Sequence, residues 1–135
     1  MAGEASTVGA NNALDGMLGR VTQTARTVYI ALLTAAPTDA TTLATMTELS
    51  ATGYARQAYG PTAPTGSPSS SKNTATLTFG PFTTDPANAT HCACVSAVSG
   101  TTGDFIFWWA LDVAKDAAVG ESIQFAANAL VANAT

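Results

Sequence analysis

The chain has 135 residues and a mass of 13.6 kDa, which is the size of one domain with a short extension. Only 10% of its residues are charged and its net charge is -4, whereas an ordinary soluble domain has roughly 25% charged residues. The five cations are scattered and form no basic patch, so we expect no nucleic-acid partner. His91 is the single histidine and there is no cluster of ionisable residues, so metal binding and acid–base catalysis are not expected.

The first ten residues are small and polar and show no hydrophobic period. Such a segment has no apolar face to bury, so we predict an extended arm over residues 1–10 and a single domain over residues 11–135. The arm is expected to lie outside the domain's own core and to contact another chain. The candidate interface residues of the arm are Met1, Ala2, Gly3 and Glu4.

Neither a secretory signal nor a membrane span is predicted. The N-terminus lacks the cationic and apolar regions of a signal peptide. The longest apolar runs, residues 28–33 and 105–111, are far shorter than the roughly 20 residues with which a helix crosses a bilayer. We therefore expect a protein that is made in the cytoplasm and has no membrane partner.

A short helix is predicted over residues 11–19 (NNALDGMLG). Asn11 or Asn12 would cap its start and Gly19 would end it. Leu14, Met17 and Leu18 follow helical spacing and form one apolar stripe. We expect this stripe to plug the underside of a sheet.

The rest of the chain favours short strands separated by turns. A Pro- and Ser-rich stretch at residues 60–72 excludes a central strand there and predicts a long exposed loop. The pattern indicates an all-β fold, an antiparallel and jelly-roll-like β-sandwich. The predicted strands cover residues 27–33, 53–59, 74–79, 91–98, 104–112, 122–125 and 129–131.

Arg56 lies on the second predicted strand, in a chain that has few charges. We expect it to pair with an acidic group, with Glu48 as the candidate, or to stack on an aromatic ring. The alternative is an ordinary solvated strand residue. Arg56 is also a candidate interface residue.

Cys92 and Cys94 follow His91 on a predicted strand. The two cysteines would share one face and His91 would take the other, so the three cannot share one metal ion. A bridge between residues two apart on a strand would need Cα atoms near the long limit of about 6.8 Å. We interpret the cysteines as small buried apolar residues.

Trp108 and Trp109 are adjacent, so on a strand they face opposite sides. One can enter the core, and the other must then lie on the second face, at the surface or at an interface. Both are candidate interface residues. The alternative is a sheet that one chain covers on both faces.

No motif predicts an enzyme, a cofactor site or a metal site. There is no Gly-x-Ser-x-Gly elbow, no phosphate-binding glycine pattern and no calcium loop. We therefore predict no catalytic, cofactor-binding or metal-ligating residues.

Four blocks of the sequence stand out: NNALDGMLG at 11–19, VYIALLTAAPTD at 28–39, TELSATGYARQAYGP at 47–61 and FIFWWALDVAKDAAVGESIQFAANALV at 105–131. Together they resemble a widespread family of small structural proteins from tailed bacteriophages. The Gly-Tyr-Ala-Arg-Gln segment in the third block is the most specific of them, and the resemblance covers nearly the whole chain. It does not extend to the Pro/Ser loop or to the Cys-x-Cys strand.

The resemblance implies a non-enzymatic virion component that is made in the host cytoplasm. Our main expectation is a capsid cement or decoration protein on the capsid surface, bridging neighbouring capsomers. Its expected partners are the major capsid protein and further copies of the chain, assembled as a trimer. The alternative is a tail or tail-fibre component. A third interpretation, a small carbohydrate-binding or hydrolytic module, depends only on the β-fold and the aromatic residues.

Overall fold

The structure is a computed structural model that describes residues 3–67, 69–86 and 88–133. Nine short strands and one helix make up the regular structure of this part of the chain. None of the helical structure described is long and apolar enough to cross a membrane. The elements are β1 (Glu4–Ala5), α1 (Thr7–Met17), β2 (Tyr29–Leu33), β3 (Gln57–Ala58), β4 (Ser70–Lys72), β5 (Leu77–Phe79), β6 (Ala89–Val95), β7 (Phe105–Lys115), β8 (Ile123–Phe125) and β9 (Val131–Asn133).

The main sheet has five strands in the order β1-β7-β6-β2-β3, and all of its neighbours are antiparallel. Two further pairs, β4-β9 and β5-β8, form separate antiparallel ribbons. In the centre of the sheet, Cys92 lies opposite Leu32 on one side and Trp109 on the other. The predicted all-β, antiparallel fold with a short N-terminal helix is confirmed.

Apolar residues lie on both faces of the main sheet because strand side chains alternate in direction. On β2, Ile30 and Leu32 enter a larger core, while Ala31 and Leu33 enter a smaller core. The larger core is completed by residues of the β5-β8 ribbon, such as Phe79 and Phe125. The smaller core is covered by Leu43, from the connection between β2 and β3. One chain therefore covers both faces of the central strands.

The structure differs from the predicted arm over residues 3–10. Glu4 and Ala5 form the edge strand β1, opposite Trp108 and Phe107 of β7. Ser6 is fully buried, and α1 begins at the next residue. The backbone of this segment makes the contacts. The sequence therefore shows no hydrophobic pattern that would reveal the packing. Met1 and Ala2 lie outside the described residues, so their predicted interface role is not addressed.

Helix α1 also starts earlier than predicted. Its N-cap is Ser6, whose hydroxyl accepts a hydrogen bond from the Gly9 amide. Asn11 and Asn12, the predicted caps, lie inside the helix. The helix does end in the region expected, with a left-handed glycine at Gly19.

The segment over residues 60–72 is only partly a loop. Ser70–Lys72 form β4 and pair with β9 at the periphery of the fold, which a Pro- and Ser-rich sequence did not predict. The part before it is largely exposed, as expected, and Pro68 lies outside the described residues.

Candidate assembly surface

Arg56 forms a partly buried ion pair with Glu48, which confirms the predicted pairing. Its Nε donates to Glu48 Oε1 over 2.8 Å, and its Nη2 donates to Glu48 Oε2 over 2.7 Å. This two-point geometry matches the planar guanidinium to the carboxylate. The Arg56 side chain is only 3% exposed. Arg56 was predicted to lie on a strand over residues 53–59, but it lies just before the short strand β3.

The same guanidinium ties two distant loops together. Nη1 donates to the Ala97 carbonyl over 2.8 Å, and Nη2 donates to the Gly100 carbonyl over 2.9 Å. Both carbonyls belong to the turn between β6 and β7. Arg56 therefore fixes this turn against the segment that leads into β3, and the hydrogen bond to Glu48 raises its pKa further.

Tyr54 completes this cluster from the other side. Its hydroxyl donates to Glu48 Oε1 over 2.7 Å and accepts from the Leu32 amide over 3.1 Å. Burial, followed by the bond to Glu48, raises the pKa of Tyr54 well above its usual range. The phenol therefore stays protonated, and both carboxylate oxygens of Glu48 are occupied. The cluster therefore has a structural role, since it holds the β6–β7 turn and the segment before β3 together.

A groove of about 400 Å³ lies over the Arg56 cluster. Its walls include Ala51, Ala55 and Val98, and the Glu48–Arg56 pair lies among its lining residues. Because the charges of the pair are already matched to each other, the groove offers a largely neutral surface. The structure does not test whether Arg56 contributes to an interface, and that role stays a prediction.

Trp109 belongs to the core of the chain. Its side chain is fully buried in the larger core, and its Nε1 donates to the Val131 carbonyl over 2.8 Å. Its ring contacts those of Tyr59 and Phe107, with centroids 5.7 Å and 5.0 Å away. Trp109 is therefore the core-facing tryptophan that the strand alternation predicted. Because it is fully buried within the chain, it is not accessible for the predicted interface contact.

Trp108 lies on the opposite face, as predicted, and packs partly against the smaller core. Its ring centroid lies 5.9 Å from that of His91. Its Nε1 is buried and has no hydrogen-bond partner among the residues that the structure describes. Residues of the same chain account for much of the burial of Trp108. Its contact with a second chain stays a prediction.

Cys92 and Cys94 both face the larger core as free thiols, and the neighbouring His91 lies on the other side of the sheet, against Trp108. Burial raises the pKa of Cys94 to about 12 and that of Cys92 further. Burial also lowers the pKa of His91. No group of three potential ligands that could hold a metal ion occurs in the described ranges.

The N-terminal segment is fastened to β7 by main-chain contacts. The Ser6 amide donates to the Ile106 carbonyl over 3.0 Å, and its hydroxyl donates to the Phe105 carbonyl. Helix α1 then passes so close to the sheet that a Cβ at Gly9 would overlap the Ile106 carbonyl. A Cβ at Gly3 would likewise overlap the Phe107 ring. Glycine is therefore required for this close approach.

Large apolar side chains at the end of α1 and just after it are exposed to solvent. The helix meets β7 through Gly9 and not through this stripe, so the predicted plug is wrong. We call this surface the helix patch. Its members and their exposed fractions are Leu14 at 53%, Met17 at 80%, Leu18 at 72% and Val21 at 50%. Exposed apolar side chains grouped in this way are typical of interaction surfaces.

Asn73 is a structural residue that the sequence did not single out. It is fully buried, its Nδ2 donates to the carbonyls of Ala75 and Ala126, and its Oδ1 accepts from the Leu130 amide over 2.9 Å. It therefore connects the turn after β4 to the approach to β9. Nothing in the sequence distinguishes it from an asparagine in an exposed turn.

A family model described as "Podophage GP4 fiber I protein gp80" matches residues 4–133. The match spans nearly the whole chain, and the chain belongs to this family. No curated protein matches it. The protein is therefore a bacteriophage virion structural protein, as the resemblance implied. The family description names a fiber, which favours the tail or tail-fibre alternative over the capsid-cement expectation.

Proposed function

We propose that the protein is a non-enzymatic structural component of a podophage tail fibre. The observation that carries this proposal is the match of residues 4–133 to a fiber protein family. This role replaces the capsid-cement role that we expected from the sequence. Contact with the major capsid protein and assembly as a trimer stay predictions.

The chemistry of the described side chains supports a structural role. The most buried charged group, Arg56, is used to hold Glu48 and two loop carbonyls. Tyr54 is held in the same cluster. These groups give the domain rigidity and leave it no free acid–base pair there. A rigid domain with an exposed apolar surface suits repeated assembly into a larger particle.

The location of the protein on virions tests the proposal. Purified particles would be labelled with an antibody against this chain and imaged, and its copy number would be measured by quantitative mass spectrometry. We expect label on the tail appendages and far fewer copies than the major capsid protein. An antibody against the major capsid protein, applied to the same particles, provides the control. Label spread over the head in hundreds of copies would overturn the fibre role and restore the cement role.

A further inference from the structure

The connection between α1 and β2 is long, exposed and weakly attached to the rest of the chain. Residues 19–27 are all exposed, and residues 22–27 have no regular structure. No backbone hydrogen bond joins residues 22–27 to any described part of the chain. Two exposed side-chain bonds attach this stretch, from Gln23 to the Asn12 carbonyl and from Arg26 to Asp104. The connection can therefore change its path without loss of a buried contact.

Residues 3–18 comprise β1, α1 and their flanking residues, and they dock on the domain through a small set of contacts. We call them the N-terminal unit. Within the unit only Ser6 and Gly9 are buried, and the Thr7 amide donates to the Asp39 carbonyl over 2.9 Å. The unit is thus held by hydrogen bonds and close backbone contact, with little buried apolar surface of its own. Its release should cost less free energy than the release of a core strand.

The docking site on β7 is specific for this unit. A Cβ at Gly3 would overlap the Phe107 ring, and a Cβ at Gly9 would overlap the Ile106 carbonyl. Between the two glycines, the amide and the hydroxyl of Ser6 both donate to carbonyls at the start of β7. An occupant therefore needs glycine, serine and glycine at intervals of three residues, as at positions 3, 6 and 9. Another copy of this chain meets that requirement by identity.

We propose that the N-terminal unit is exchanged between copies of this chain, so that β1 and α1 of one copy dock on β7 of another. The closed and exchanged forms contain the same docking contacts, and only the path of the connection differs. Residues 19–27 can span about 30 Å when extended, which is about the diameter of a small domain. The proposal goes beyond the fibre role and does not depend on it. It also differs from the free arm predicted over residues 1–10, because a folded unit is exchanged.

The concentration at which exchange occurs follows from the connection. A short flexible connection holds the unit beside its own site at an effective concentration of about 1 mM. Exchange should therefore become appreciable when copies reach about that concentration or lie side by side in an assembly.

The first test asks whether the unit of one full-length chain docks on another. One chain carries Asn12→Cys and is labelled with ¹⁵N, and the other carries Asp104→Cys. In the closed form Asn12 Nδ2 and Asp104 Oδ2 are 3.3 Å apart, so a short thiol cross-linker joins the two chains when the unit of the first lies on the second. The native cysteines are buried. The chains are mixed at about 1 mM before the cross-linker is added.

We expect a mixed product of twice 13.6 kDa, identified by its mass. Its yield should exceed by about tenfold that of a control mixture in which Val119→Cys replaces Asp104→Cys. Val119 is 60% exposed and lies on the connection between β7 and β8, so it reports random collisions. A yield equal to that of the control would overturn the proposal.

A blocking variant tests whether the mixed product depends on docking. Gly9→Val in the Asn12→Cys chain adds a Cβ where the helix meets the Ile106 carbonyl, and we expect it to lower the yield to the control level. Ala10→Val, at the exposed neighbouring position, is the matched control and should retain the product. A mixed product that persists with Gly9→Val would contradict exchange through this site. Circular dichroism checks that both variants keep the strand signal of the domain.

The second test uses the unaltered chain and measures the opening that exchange requires. The Ser6 amide is bonded to Ile106 and the Ala10 amide to Ser6, whereas Cys92 lies on the central strand β6. If the unit opens as one piece, the Ser6 and Ala10 amides should exchange hydrogen for deuterium with the same opening constant, about a hundredfold or more above that of Cys92. Equal protection of all three amides would mean that the unit opens only when the whole domain unfolds, and would overturn the proposal.

Discussion

On strand β6, Cys92 and Cys94 turn into the larger core, whereas Met17 at the end of helix α1 and the adjacent Leu18 are exposed to solvent. The sheet is held by burial of side chains from several strands. The helix is held by hydrogen bonds of Ser6 and by the close approach of Gly9 to β7. The sheet thus uses its apolar residues for its own stability, whereas the end of the helix leaves large apolar residues exposed.

The contrast between the two regions can be tested by substitution. Changes in the sheet, and in the side chains that hold loops and the N-terminal segment to it, should lower the free energy of unfolding. Changes in the helix patch should leave that quantity nearly unchanged. The expected effects follow, from the largest to the smallest.

Arg56→Ala is expected to cost about 3 kcal/mol of stability, because it leaves Glu48 and two loop carbonyls without their donor. Arg26→Ala is the matched control, since its pair with Asp104 is exposed and should contribute less than about 1 kcal/mol. Urea denaturation of both variants measures the difference. Equal losses of stability in the two variants would show that the Arg56 cluster does not stabilise the fold more than an exposed ion pair does.

Trp109→Phe is expected to cost about 2 kcal/mol, because it removes volume from the larger core and the donor to the Val131 carbonyl. Trp108→Phe should cost less than about 1 kcal/mol, since the removed Nε1 makes no hydrogen bond within the described chain. Thermal and urea unfolding of the pair tests this asymmetry. A larger loss for Trp108→Phe would contradict the assignment of the two faces.

Ser6→Ala is expected to cost about 1.5 kcal/mol, because it removes the cap of α1 and a buried hydrogen bond to β7. Thr7→Ala, at an exposed neighbouring position, is the control and should change stability by less than about 0.5 kcal/mol. The free energy of unfolding in urea provides the measurement. If Ser6→Ala has no effect, the N-terminal segment behaves as the free arm first predicted.

Stability is expected to fall as the pH rises above 9. In the unfolded chain the Cys94 thiol loses its proton near pH 9, whereas in the folded chain burial raises its pKa to about 12. The folded state therefore binds more protons in this window, and Cys94 alone should account for about 1 kcal/mol of lost stability by pH 10. Urea denaturation at pH 7 to 11 would show a shallower decline for Cys94→Ala. Parallel declines would contradict this account.

Met17→Ser is expected to change the free energy of unfolding by less than about 0.5 kcal/mol, because the side chain is 80% exposed. A large loss of stability in the monomer would mean that the helix patch packs within the chain after all.

Strand periodicity predicted the centre of the fold well. The alternation on residues 28–33 and 91–95 places each apolar residue in one of the two cores, because a strand that is buried on both faces selects apolar residues at every position. The scarcity of charge likewise predicted the Arg56–Glu48 pair. A buried cation needs a partner, and few were available.

The N-terminal region could not be predicted in the same way. Its packing depends on glycines and backbone carbonyls, and those groups leave no hydrophobic period. The cover over the smaller core, with Leu43 at its centre, comes from a connection without regular structure. The place of the protein in the virion depends on surfaces of other molecules, and these are not encoded in the fold of one chain.

Strand β1 has a consequence for how this chain should be handled. Its two residues cover the backbone of Phe107 and Trp108 at the edge of the main sheet. A truncation that removed Glu4 and Ala5 would leave that edge open to a strand from another molecule, a common route to aggregation. We therefore expect these first residues to limit pairing of this edge with other molecules. Trimming or tagging the N-terminus at Glu4 should be avoided, even though the segment looks dispensable in the sequence.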